Sequence, residues 1–133
     1  MAKGRVFLFH WNKAEAEEYA EALRKEGWAV DLEWEDGARG GAAVKQNPPD
    51  AVVFYLARLP SHSRATAEYL TRTKSTRQIP LIFVGGEGEA LEKTRQKIPS
   101  GIYVQAEGLT RALGKISEGV RDRGDEPSSE GGP

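Results

Sequence analysis

Apolar residues in this chain come in short unbroken runs, separated by stretches where they recur at helical spacing. Val6, Phe7, Leu8 and Phe9 form the first run. A run this short and apolar at every position suits a strand buried on both faces, as in a parallel sheet. Ala51 to Leu56, opened by Asp50, and Leu81 to Val84 read the same way, and Ile102-Tyr103-Val104 makes a shorter fifth strand. The second strand is different. Trp28, Val30, Leu32 and Trp34 fall on one face, with Asp31 and Glu33 on the other. Such alternation predicts a strand with one wetter face, as at a sheet edge.

Helices are expected between these strands. Asn12 with Glu15 three residues later is a variant capping box. Ala16, Tyr19, Ala20 and Leu23 then repeat at helical spacing until Gly27 stops the helix. Asp36 to Gly41 reads as a flexible loop, with a weak helix over Ala42 to Gln46 ended by Asn47-Pro48-Pro49. Leu59-Pro60 breaks the third strand. Ser61 or Ser63 then caps a helix reaching about Thr76, packed through Ala65, Ala67, Tyr69 and Leu70. Glu87 to Lys97 has acid early and base late, matching a helix dipole. Leu109, Leu113, Ile116 and Val120 give a last amphipathic helix.

Strands alternating with helices give an α/β fold, a three-layer α/β/α sandwich around a parallel sheet. Ligands in such sheets bind beyond the carboxyl ends of the strands. The expected domain is 1–120. Residues 121–133, rich in charge and then in Gly, Ser and Pro, are expected to form a disordered tail.

Bulk numbers narrow the function. With 133 residues the chain is the size of one domain, and a net charge of −1 is far from that of a dedicated DNA binder. The chain has no Cys, which excludes disulfides, thiolate metal sites and thiol catalysis. The apolar run near the N-terminus is too short for a secretory signal or a membrane span, so a cytoplasmic protein is expected.

Two segments carry a resemblance. Pro49-Asp50-Ala51-Val52-Val53-Phe54-Tyr55-Leu56 followed by Leu59-Pro60, and Thr76-Arg77-Gln78-Ile79-Pro80-Leu81-Ile82-Phe83-Val84, resemble the third and fourth strands of bacterial response-regulator receiver domains. The resemblance covers residues 5 to about 120. It implies a flavodoxin-like, receiver-type sheet of order 2-1-3-4-5. That family uses two acids after the first strand to hold Mg²⁺, an Asp at the end of the third as phospho-acceptor, a hydroxyl ending the fourth and a Lys ending the fifth. Hard Mg²⁺ takes carboxylate and phosphate oxygens, and a transferring phosphoryl group needs cations beside it. Here the matching positions are His10 and Trp11, Tyr55 or Leu56, Gly85, and Gln105, with Ala106 in place of a common Pro. The resemblance therefore implies a pseudo-receiver, with no Mg²⁺, no cofactor and no catalytic residue.

Other residues bear on partners. Arg58, Arg64, Arg72, Lys74 and Arg77 crowd one stretch whose only acid is Glu68, a bias that suits an acidic partner or a phosphate backbone. The aromatic interleaving of a nucleic-acid platform is missing, so nucleic acid is the weaker reading. Trp34, if exposed, is a candidate partner anchor. Gly85-Gly86-Glu87-Gly88-Glu89 lacks the Lys-Ser or Lys-Thr of a phosphate loop, and its acids repel phosphate. His10 and His62 are too few for a metal site. The expected protein is thus a stand-alone module that binds a protein partner or itself, with the last helix implied as the contact surface by the resemblance. The rivals are a small-ligand or anion binder, or enzyme, using His10, Tyr55, Gln105 and Arg58, and an acidic-partner or nucleic-acid binder using 58–77.

Overall fold

The computed structural model describes the backbone of residues 3–126 and the side chains of 3–120. Five strands, β1 (Arg5–Phe9), β2 (Ala29–Glu33), β3 (Ala51–Tyr55), β4 (Leu81–Val84) and β5 (Ile102–Val104), form one sheet of order β2-β1-β3-β4-β5, parallel throughout. The helices are α1 (Lys13–Lys25), α2 (Gly37–Gln46), α3 (Pro60–Arg72), α4 (Gly88–Lys97) and α5 (Leu109–Glu126), with a short 3₁₀ turn at Ala106–Gly108. This is the flavodoxin-like, receiver-type topology expected.

Alternation along each strand splits the core in two. Val6, Leu8, Val30, Val53, Tyr55 and Ile82 face α1 and α5, where Ala16, Ala20, Leu23, Leu109 and Leu113 close over them. Phe7, Phe9, Val52, Phe54, Leu56 and Phe83 face α2, α3 and α4. On that second side Phe9, Phe54, Phe83 and Tyr103 are register partners on successive strands, and their rings stack at 4.9, 5.2 and 5.0 Å. Offset stacking of this kind adds roughly 0.5–1.5 kcal/mol per pair to the area buried.

Several local expectations need correction. Asp36 to Gly41 is not a flexible loop: Asp36 caps α2, its Oδ1 accepting from the Arg39 backbone N–H at 3.0 Å. The glycines there reflect close packing. A Cβ on Gly40 would lie 2.3 Å from Phe9 Cε1, and one on Gly37 would lie 2.5 Å from Thr66 Oγ1.

Neither Ser61 nor Ser63 caps α3. Pro60 begins it, after Leu59 in a left-handed conformation (φ 42°, ψ 58°). The helix ends at Arg72, short of Thr76, because Thr73 is extended and the Thr76 hydroxyl turns back to donate to the Leu70 carbonyl at 2.7 Å. Tyr19, Ala65 and Tyr69 are exposed, while Ser63 and Thr66 are buried. Glu33, expected on the wet face of β2, is only 6% exposed. The helix α5 is traced past the expected domain end to Glu126, and residues 127–133 of the expected tail lie outside the described residues.

Candidate functional site at the strand ends

The carboxyl ends of the strands carry the residues singled out from sequence, but not as one cluster. Because successive residues leave a strand on opposite sides, His10 and Tyr55 turn toward α1, whereas Trp11 and Leu56 turn toward α3 and α4.

On the α1 side, His10 is 2% exposed, and its ring stacks on Tyr19 at 5.4 Å and Tyr55 at 5.2 Å, with Tyr19 and Tyr55 themselves 4.5 Å apart. Its Nε2 lies 3.1 Å from Glu15 Oε1. Glu15 also takes a two-pronged bond from Arg58, Nε at 2.9 Å and Nη2 at 2.7 Å, which holds its carboxyl below the ordinary value. The His10 Nδ1 is buried and has no hydrogen-bond partner. Nε2 is thus the ring nitrogen that faces a carboxylate, and Nδ1 faces no partner. Protonation would bury a donor with nothing to accept it. Burial accordingly holds the imidazole below 6.5, opposed by Glu15 and reinforced by Arg58. Burial likewise pushes the Tyr55 hydroxyl up, so it remains a neutral phenol.

On the other side, Trp11 is buried and its Nε1 donates to Ser63 Oγ at 2.9 Å. Leu56, 2% exposed, lines a crevice of about 420 Å³ with Pro60, Gly86, Glu87, Ala90 and Gln105. Of the two candidates for the phospho-acceptor position, Leu56 is therefore the one beside Gln105, and Tyr55 faces away. Gly85 (φ 77°) and Gly86 (φ 81°) carry the chain away from β4 in a conformation that side chains disfavour.

One carboxylate is buried near this end of the sheet. Glu33, closing β2, accepts Arg39 Nε at 2.9 Å and Nη2 at 2.7 Å, and the backbone N–H groups of Glu35 and Asp36 at 3.0 and 2.8 Å. The Arg39 guanidinium and those N–H groups pull its carboxyl down to about 2.

The basic stretch is dispersed. Arg58 is committed to Glu15. Arg64 turns to α4 and donates to the Ala90 carbonyl and Thr94 Oγ1, both at 3.4 Å. Arg72 ends α3, 4.0 Å from Glu68, and Lys74 and Arg77 follow it, exposed. Trp34 is half-buried against the α1 side of the core, with the Lys13 ammonium 5.4 Å from its ring centroid.

Sequence reasoning missed Glu15, Tyr19 and Ser63 as members of these clusters. In sequence Glu15 reads only as part of a cap; the signal for its second role is its place in the first turn of α1, the helix that follows His10.

No protein-family model and no curated protein matches the chain. Solved structures match its fold. A response regulator from Chloroflexus aurantiacus, described as putative, superposes with a TM-score of 0.71 at 13% identity, over 86% of this chain and 98% of that one. A chemotaxis protein of Vibrio cholerae gives 0.71 at 11% identity, over 87% and 98%. The receiver domain of a Pseudomonas aeruginosa sensor histidine kinase, with a magnesium ion in its active-site cleft, gives 0.67 at 20% identity, over 86% and 98%. The chain therefore has the receiver-domain fold. Among the described residues no helix is long and apolar enough to cross a membrane.

Proposed function

We propose that this protein is a receiver-fold interaction module of a signalling system that works without aspartyl phosphorylation, and that it acts by binding and not as an enzyme. The observation carrying this reading is the crevice beside Gln105, where Leu56 presents a hydrocarbon wall in place of an acceptor carboxylate. The donor set does not fit Mg²⁺, which takes several oxygen ligands. His10 offers nitrogen and is stacked between two tyrosines; Trp11 offers no acceptor; Glu33 is saturated by Arg39 and two backbone N–H groups. Among the described residues, no three His, Cys, Asp or Glu side chains are grouped to hold a metal ion. A cytoplasmic location belongs to the same reading and is supported by the absence of Cys.

The rival ligand site above His10, Tyr55 and Gln105 has less support. His10 and Tyr55 are buried together on one side of the sheet, and Gln105 lines the crevice on the other. Arg58, its candidate anion contact, is already paired with Glu15.

The test is to incubate the protein with acetyl phosphate and Mg²⁺ and weigh it intact. No change in mass is expected. A stoichiometric, acid-labile gain of one phosphate would overturn the proposal.

A further inference from the structure

The surface of α3 carries two adjoining depressions of opposite character. The first, about 600 Å³, lies against α2 and is walled by Gly37, Ala38, His62, Ala65, Thr66 and Tyr69. It is predominantly apolar, and Tyr69 stands 42% exposed beside it. The second, about 580 Å³, lies against α4 and is walled by Arg64, Glu68, Lys93, Gln96 and Lys97. Ser61 and Ala65 line both. They sit one helical turn apart, and their short side chains make a low pass across α3 between the two hollows.

Charge sets the kind of occupant. Three cations line the second hollow against one carboxylate. That carboxylate, Glu68, is already shared between Lys97 at 3.7 Å and Arg72 at 4.0 Å. Arg64 meets only a carbonyl and a hydroxyl, so its charge is not neutralised by either. The hollow is therefore cationic beside an apolar one, on a chain whose net charge is −1.

We propose that this double hollow docks an acidic segment of a partner protein, with one large apolar side chain seated between Ala38, Ala65 and Tyr69 and its carboxylates over Arg64, Lys93 and Lys97. Nucleic acid fits less well, since its phosphates would leave the apolar hollow empty. The inference rests on reading the chain as an interaction module, and it names the surface and the partner's chemistry.

The test is fluorescence anisotropy of the full chain with a labelled peptide of Asp, Glu and Leu around one central Phe. Three controls accompany it: a peptide with that Phe replaced by Ala, one with Gln for every acid, and a labelled DNA duplex. Lys93 and Lys97 are exposed, and so is Ala65, so substitutions there leave the core intact. The acidic Phe peptide is expected to bind, to weaken as salt rises, and to lose about tenfold in affinity with Lys93→Glu plus Lys97→Glu and again with Ala65→Arg. Absence of binding, binding indifferent to all three substitutions, or tighter binding of the duplex would overturn the inference. The phosphate experiment is independent. A mass gain there with peptide binding intact removes only the phosphorylation-independent reading, and loss of peptide binding with no mass gain removes only this surface.

Discussion

Glu33 offers the sharpest test of how the strand ends are held. Its carboxylate is 8% exposed and takes four hydrogen bonds, two from Arg39 and two from the backbone. The substitution Glu33→Gln removes the charge and keeps an acceptor oxygen. A carboxyl held at about 2 in the fold and 4.5 when free corresponds to roughly 3.5 kcal/mol at neutral pH, at about 1.4 kcal/mol per pH unit. Arg39 is 58% exposed, and solvent screening of that partner reduces the expected loss to roughly 2 kcal/mol. The sign follows from linkage. Glu33 has a depressed folded value, so its contribution is complete above 4.5 and is lost as pH falls through about 2. Urea denaturation followed by the fluorescence of Trp11, Trp28 and Trp34 measures both proteins on one scale. The gap between wild type and variant is expected to shrink by roughly half or more on going from pH 7 to about pH 3. A gap that stays constant across that range would show that the charge of Glu33 is not what stabilises the fold, and would refute the argument.

Two other perturbations test different parts of the structure. Gly40→Ala drives a methyl group into the buried ring of Phe9 and is expected to cost about 1–3 kcal/mol by urea denaturation, whereas Gly114→Ala in α5, with nothing within 4 Å, is expected to gain roughly 0.5–1 kcal/mol; equal effects would contradict the packing of α2 described above. His10 is held below 6.5 in the fold, so its contribution is present above that value and lost as pH falls through the lower folded one. Between pH 7 and 5, the melting temperature of His10→Phe is expected to fall less than that of wild type, and an equal fall would count against a neutral His10.

Much of the fold was legible because period and burial agree. The four apolar runs are buried strands or their edge, and the alternating Trp28, Val30, Leu32 and Trp34 all pack on one core. Where expectation failed, a tertiary contact had overridden local composition. Gly37, Gly40 and Gly41 look like a loop, yet they are small because Phe9, Thr66 and Tyr69 press on them. Ser63 looks like a cap, yet its hydroxyl is taken by Trp11, 52 residues away in sequence. The site was half legible. The odd residue types at His10, Trp11 and Gln105 stand out in the sequence. Their separation onto two sides of the sheet does not, since it depends on which way each side chain leaves its strand. The basic stretch shows the opposite error: neighbours in sequence are not neighbours in space, since Arg58, in the loop before α3, reaches Glu15 of α1, and Arg64, within α3, turns to α4.

The ring ladder of Phe9, Phe54, Phe83 and Tyr103 has a consequence for how the domain opens. It clamps β1, β3, β4 and β5 in one register but does not reach β2, the outer strand beyond β1. Amide protons of those four strands should then exchange with solvent together, through one cooperative opening. Those of β2 and the α1–β2 turn escape earlier, by an excursion that leaves the ladder closed. The sheet thus has a slow-exchanging block and a fast-exchanging margin, and His10, which follows β1 and donates its backbone N–H to the Glu33 carbonyl of β2 at 3.2 Å, sits at the boundary.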